Sequence, residues 1–152
     1  MDRLDQEEWI IGSVSLLANR LAQFGDAMLP DITFRQWFLL LLISRMDLTE
    51  KSIHRIAEVA GTSRQNVKKL LVPLEKKGYV QIQKSARDAR SLQVELTGKA
   101  WQYFSDHAKL TAGETERLFA PFQPEEVRQL AELLEKLQKC LEQYEREGKA
   151  DA

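Results

Sequence analysis

The chain has 152 residues, 43% of them apolar and 30% charged, with a formal net charge of −1; that suffices for one good core and makes a single extended domain, 1–152, the default. Its one cysteine, Cys140, excludes an intrachain disulfide, and its longest strongly apolar run, 37–43, is far too short to span a bilayer. None of the seven glycines forms a Gly-x-Gly, and two histidines with one distant cysteine give no Cys-His or Ser-His-Asp spacing, so an enzyme has little support.

The first eight residues, MDRLDQEE, are acidic and lack the basic-then-apolar layout of a signal peptide, so the expected compartment is the cytoplasm. Ile10, Val14, Leu17, Leu21 and Phe24 recur at spacings of four and three. They predict an amphipathic first helix that Pro30 closes. Thr33 and Gln36 stand three apart, the spacing of a capping box. They open a second, very apolar helix through Trp37, Leu40, Leu41 and Met46.

Residues 53–71, IHRIAEVAGTSRQNVKKLL, have the spacing of a helix-turn-helix. Ile53, Ile56, Ala57 and Ala60 fall at helical intervals and end at Gly61, which reaches positive φ at low cost. Ala57 supplies the small side chain that a close helix crossing needs. Thr62 is expected to open the next helix, with Gln65 completing a capping box. Val67, Leu70 and Leu71 form its apolar stripe. Its outward positions, Ser63, Arg64, Gln65, Asn66, Lys68 and Lys69, carry several donors and no acid. That chemistry suits a helix laid against phosphates and base edges in a major groove. The plainer alternative is a helical hairpin with a solvated basic face.

Gly78 ends this helix just after Lys76 and Lys77, which sit at the negative end of the helix dipole. Residues 79–83, YVQIQ, then alternate apolar with polar, as do 92–96, LQVEL. The polar stretch 84–91, KSARDARS, lies between them. The pattern reads as a β-hairpin with a basic tip of Lys84, Arg87 and Arg90, the wing of a winged helix. Asp88, the tip's one acid, stands where it can pair with Arg87 or Arg90 and hold a guanidinium in a fixed pose.

After the wing, Thr97 is the candidate N-cap of a helix carrying Trp101, Phe104, Ala108 and Leu118. Pro124, Glu125 and Glu126 mark the first turn of the last helix. Its stripe of Val127, Leu130, Leu134, Leu137, Leu141 and Tyr144 requires a partner helix. A chain this small has few faces to cover two long terminal helices. Ile10, Val14, Leu17, Leu21, Leu130, Leu134, Leu137 and Leu141 are therefore expected at a homodimer interface.

Charge is sorted along the chain. From Thr62 to Arg90 there are eight bases and two acids, whereas Thr111 to Ala152 holds six bases and ten acids. Positive potential is thus concentrated on the helix-turn-helix and wing.

Taken in this order, the layout resembles the multiple-antibiotic-resistance regulator (MarR) family of winged-helix repressors, over roughly residues 8–145. The resemblance is carried by 32–37, ITFRQW, by 67–80, VKKLLVPLEKKGYV, and by 88–91, DARS, followed by Leu96-Thr97. It implies a mainly α fold with a minor β component, a winged helix-turn-helix at 48–96 and helical dimerisation regions at 5–30 and 97–147. It further implies a homodimeric repressor whose two heads read a pseudo-palindrome in double-stranded DNA. Asp88 would orient a wing arginine, Arg90, towards the minor groove. A small effector, aromatic or amphipathic, would bind between the dimerisation helices and the head; no membrane, cofactor or metal is implied.

Three features depart from the family pattern. Pro73 lies late in the recognition helix, where it removes the bond to the Lys69 carbonyl. Peroxide-sensing members carry a cysteine on the first helix, whereas Cys140 lies near the end of the last, where inert packing beside Leu137 and Leu141 is expected. Metal-sensing members cluster their ligands, whereas His54 and His107 are far apart with no histidine-cysteine cluster beside them, and a core or surface role is expected for His54. The rival to DNA binding is a winged helix that docks on protein.

Overall fold

The computed structural model describes residues 2–150. Helix α1, Arg3–Met28, begins with a reciprocal cap in which the Asp5 N–H donates to Asp2 and the Asp2 N–H to Asp5. It stops at Leu29, whose extended backbone leads into Pro30. Helix α2, Phe34–Ser44, carries the expected capping box: the Gln36 N–H donates to Thr33 Oγ1 at 3.2 Å, and the Thr33 N–H to Gln36 Oε1 at 3.0 Å. Asp26 of α1 accepts the Phe34 N–H at 2.7 Å, so an acid of one helix caps the next. Gly25 permits the close approach, because a Cβ there would lie 2.1 Å from the Phe34 ring.

A single 3₁₀ turn, Leu48–Glu50, precedes α3, Ile53–Ala60, and α4, Arg64–Lys76. Gly61 adopts φ 62° and closes α3 with a Schellman pair: its own N–H meets the Glu58 carbonyl, and the Thr62 N–H meets that of Ala57. Because Thr62 is consumed there, the next cap falls one residue later than expected. Ser63, not Thr62, caps α4, accepting the Asn66 N–H at 3.1 Å. Thr62 instead accepts a bond from the Asn66 side chain. The helix runs through Pro73 for one further turn and closes on Gly78, φ 82°, by a second Schellman pair.

Strands β1, Val80–Lys84, and β2, Leu92–Leu96, pair antiparallel with Val80 opposite Leu96 and Lys84 opposite Leu92. A bridge between Ser52 and Gln93, and the Val94 N–H donated to the Lys51 carbonyl, tie the hairpin to the start of α3. Thr97 stands at the N-cap of α5, Gly98–Phe119, where its carbonyl accepts the Trp101 N–H at 3.3 Å. Its hydroxyl donates to the Gly78 carbonyl at 2.6 Å, bracing the end of α4.

The core of this head is made by Leu40, Ile43, Ile56, Val67, Leu71, Leu74, Val80 and Val94, each under 2% exposed, with Ala57 buried at the helix crossing. At about 1.5–3 kcal/mol for each large side chain, this burial is the main force holding α2, α3, α4 and the hairpin together. Ala100 and Tyr103 of α5 join the same cluster, so the core extends beyond residues 48–96 on both sides. Ala60 faces solvent.

Two compact units are distinguished, one running through residue 108 and the other from Lys109 onward. The second contains the end of α5 and helix α6, Pro124–Ala150. Glu126 caps α6 by accepting the Gln123 N–H, and Arg128 and Lys139 make ion pairs with acids three or four residues away. Such exposed pairs stabilise a helix only slightly. Cys140 of α6 is exposed in the single chain. No described helix is long and apolar enough to cross a membrane.

Candidate nucleic-acid interface

Helix α4 presents Arg64, Gln65, Asn66, Lys68 and Lys69 to solvent while Val67, Leu71 and Leu74 are buried beneath them. The division follows from helical geometry: the buried residues recur every three or four positions, leaving the donors on the outer face. Ser63 is exposed, but its hydroxyl is engaged in the cap. The Asn66 amide nitrogen is held by Thr62, which fixes the orientation of that side chain.

Lys84 ends β1, and Arg87 and Arg90 lie exposed in the tip. The structure separates the two arginines. Arg90 comes to a shallow depression of about 110 Å³ lined by Arg64 and Lys68 of α4, Ile53 and His54 of α3, Ser91, and Leu92 at the start of β2. Arg87 lines a different recess of about 220 Å³, together with Leu48 and Thr49 of the 3₁₀ turn. Three cations from recognition helix and wing thus surround one hollow whose lining has no carboxylate. The hollow suits an anion about the size of a phosphate group.

Asp88 does not clamp a guanidinium. Its Oδ1 accepts the backbone N–H of Arg90 at 2.9 Å, and its carbonyl accepts the Ser91 N–H at 3.0 Å. Among the described residues, no ion pair joins Asp88 to Arg87 or Arg90. A carboxylate two residues before the N–H it accepts makes a local turn, so Asp88 shapes the tip's backbone rather than pairing with a side chain. The Ser85 N–H donated to Ser91, and the Arg87 N–H donated to the Ser85 hydroxyl, complete the tip.

Spacing alone does not assign His54 to this face. Its ring is 66% exposed and lies 3.5 Å from Glu58, and it contributes to the rim beside Arg64. A lone histidine in the first turn of a short helix gives no sequence signal of that role. His107 instead contacts the Tyr103 ring, with Nδ1 2.8 Å from the Tyr103 carbonyl oxygen. No three His, Cys, Asp or Glu among the described residues are grouped to hold a metal ion.

The eight residues expected at a dimer interface lie on two helices. On α1, Ile10, Val14, Leu17 and Leu21 are all exposed, as are Leu130, Leu134 and Leu141 on α6. Leu137 is half-buried.

Residues 31–91 match the profile described as the MarR family. The chain is 29% identical over 143 residues to YfiV, an uncharacterised HTH-type transcriptional regulator of Bacillus subtilis (strain 168), covering 94% of this chain and 88% of that protein. A MarR/EmrR family transcriptional regulator from Acinetobacter sp. ADP1 superposes with a TM-score of 0.77 at 21% identity, over 90% of this chain and 97% of the other. S. aureus MepR, solved in a complex with DNA, superposes with a TM-score of 0.72 at 22% identity, over 84% and 94% of the two chains.

Proposed function

We propose that this chain, whose residues 31–91 match the MarR family profile, works as a homodimeric repressor whose two heads read a pseudo-palindromic operator. The observation that carries the reading is the acid-free hollow where Arg64, Lys68 and Arg90 meet. A recognition helix and a wing that share one anion-sized hollow engage the same duplex together, the wing following the backbone beside the groove that the helix enters. MepR, a structural neighbour, has been captured on DNA, which supports this use of the fold.

Within the head, Gln65 and Asn66 at the amino-terminal end of α4 face the bases, with Arg64 beside them. Lys68, Lys69 and Lys84 grip phosphates, and Arg90 reaches the backbone or minor groove from the wing. Arg87 contributes from the far side of the tip, and Ser63 serves chiefly to start the helix.

The bare apolar stripes of α1 and α6 support pairing with a second copy, since exposed leucines in series are costly in water. Release by a small aromatic or amphipathic effector follows from family likeness, and the cytoplasm is the compartment where such a regulator meets DNA. The chain is read as a regulator and not an enzyme.

The test is a gel-shift titration against an excess of nonspecific competitor DNA, using duplexes selected by the protein from a random pool. Retained binding to one selected sequence supports the reading. Binding that competitor abolishes equally for all sequences favours the protein-docking alternative. Adding small aromatic acids to the specific complex tests effector release.

A further inference from the structure

The turn between α1 and α2 holds an unusual residue. Asp31 has φ 68°, the one positive φ among the described non-glycine residues. The Ile32 N–H reaches across it to the Pro30 carbonyl at 2.8 Å, a tight γ-turn. A strained backbone of this kind persists only where its surroundings enforce it.

Those surroundings come from the far end of the recognition helix. The Tyr79 hydroxyl donates to Asp31 Oδ2, and the Lys77 ammonium donates to the Asp31 carbonyl and to Oδ1. The Tyr103 hydroxyl donates to the Pro30 carbonyl at 2.7 Å, and the rings of Tyr79 and Tyr103 meet edge to face at 5.6 Å. Lys99 lies 4.5 Å from the centre of the Tyr79 ring and donates to the Lys77 carbonyl at 2.6 Å. Lys77 is the C-cap of α4, and Tyr79 supplies the last N–H of its Schellman closure.

We propose that Asp31 is a positioning residue for DNA binding: it anchors the carboxyl-terminal end of the recognition helix to the α1–α2 turn, and so fixes the angle at which Arg64 to Lys69 meet DNA. The proposal rests on the DNA-binding reading above. The buried stripe of Val67, Leu71 and Leu74 sets how deeply α4 sits, while its in-plane angle depends on what holds its ends. Thirteen residues make a helix roughly 20 Å long. A tilt of about 5° at the anchor would therefore move the Arg64 end by about 1.7 Å, more than a hydrogen bond to a base edge tolerates.

The charges agree with this geometry. The Tyr79 hydroxyl and the Lys77 ammonium hold the Asp31 carboxyl below its usual range, with a smaller contribution from Lys99. Burial, and then Asp31, push the Tyr79 hydroxyl up; Tyr103 is likewise raised to about 12, mainly by burial. Near neutral pH Asp31 is therefore a carboxylate, and Tyr79 and Tyr103 are neutral phenols. The cluster is a fixed brace.

The experiment compares the parent, Asp31→Gly and Asp31→Asn on one duplex that the parent selects from a random pool, with thermal unfolding followed alongside. Asp31→Gly accepts the positive φ yet removes the carboxylate; it should bind about tenfold more weakly or worse while remaining folded, because small misplacements of a recognition group are costly. Asp31→Asn also tolerates this backbone and keeps an acceptor for Tyr79, so it should recover part of the affinity. Both variants, folded, binding as tightly as the parent would overturn the proposal, as would a loss that merely follows the unfolded fraction. Should Asp31→Gly not fold, the affinity of Asp31→Asn decides. A parent that selects no duplex removes the DNA-binding reading itself, and this proposal with it.

Discussion

The winged head and the long terminal helices solve the burial of apolar side chains in opposite ways. In the head, Leu40, Ile43, Ile56 and Val67 are wholly shielded by residues of the same chain. On α1, Trp9 is 65% and Leu17 54% exposed, and on α6 Leu133 is 64% and Leu141 57% exposed, although both helices carry regular apolar stripes. A head that closes its own core folds as a unit, whereas a helix with a bare stripe awaits a partner. Charge follows the same division, with the basic excess on the head and the acidic excess after Thr111. One part of the molecule closes its core within the chain, and the other leaves its apolar stripes bare.

The largest effect should come from the head's core. Leu71→Ala removes a fully buried side chain from α4 and should cost about 2–5 kcal/mol in urea unfolding. An equal cost for Leu141→Ala in a dilute monomeric sample would erase the contrast, since Leu141 is exposed in the single chain. Next come charge insertions in the terminal stripes. Leu17→Glu and Leu134→Glu should leave the head folded but weaken self-association about tenfold or more, seen by sedimentation at several concentrations. Unchanged association for both would detach those stripes from the interface.

The donor-rich outer face of α4 gives the third test. Replacing Gln65 with alanine should cost about 1–3 kcal/mol on the selected duplex and relax preference at one base pair. Lys68→Ala should weaken every sequence alike and reduce the salt slope by about one unit. Arg64 discriminates more finely, because it lines the shared hollow. A sequence-specific loss for Arg64→Ala makes it a base reader, and a uniform loss makes it a phosphate contact.

The smallest effect, and a test of sign, is at Asp88. Removing its carboxylate deprives the Arg90 N–H of its partner, so Asp88→Ala should weaken DNA binding a few fold, about 1 kcal/mol. Long-range electrostatics alone would tighten binding, because an acid near phosphates is lost. Tighter binding by this variant would show that the turn does not matter to the wing.

What the sequence disclosed was local. Gly61 and Gly78 announced their helix ends because positive φ narrows the choice of residue, and Thr33 with Gln36 announced a start because three-residue spacing makes the cap reciprocal. The hairpin was visible in its alternation. At Thr62-Ser63 the helix starts one residue later than the spacing predicts, since both hydroxyls suit a cap and the Schellman closure that decides between them is not a feature of composition. Asp88 had two neighbouring guanidiniums and one backbone N–H within reach, and only geometry selects the N–H. The cluster of Asp31 with Lys77 and Tyr79 was invisible, because its members stand 46 and 48 residues apart and no periodicity joins them.

Two heads, joined through the terminal helices, are proposed to read one duplex. Selection of bound sequences from a random duplex pool tests it most directly. An inverted repeat with half-site centres one helical turn apart, roughly 10 bp, is the predicted result. Recovery of a single unrepeated half-site would contradict it.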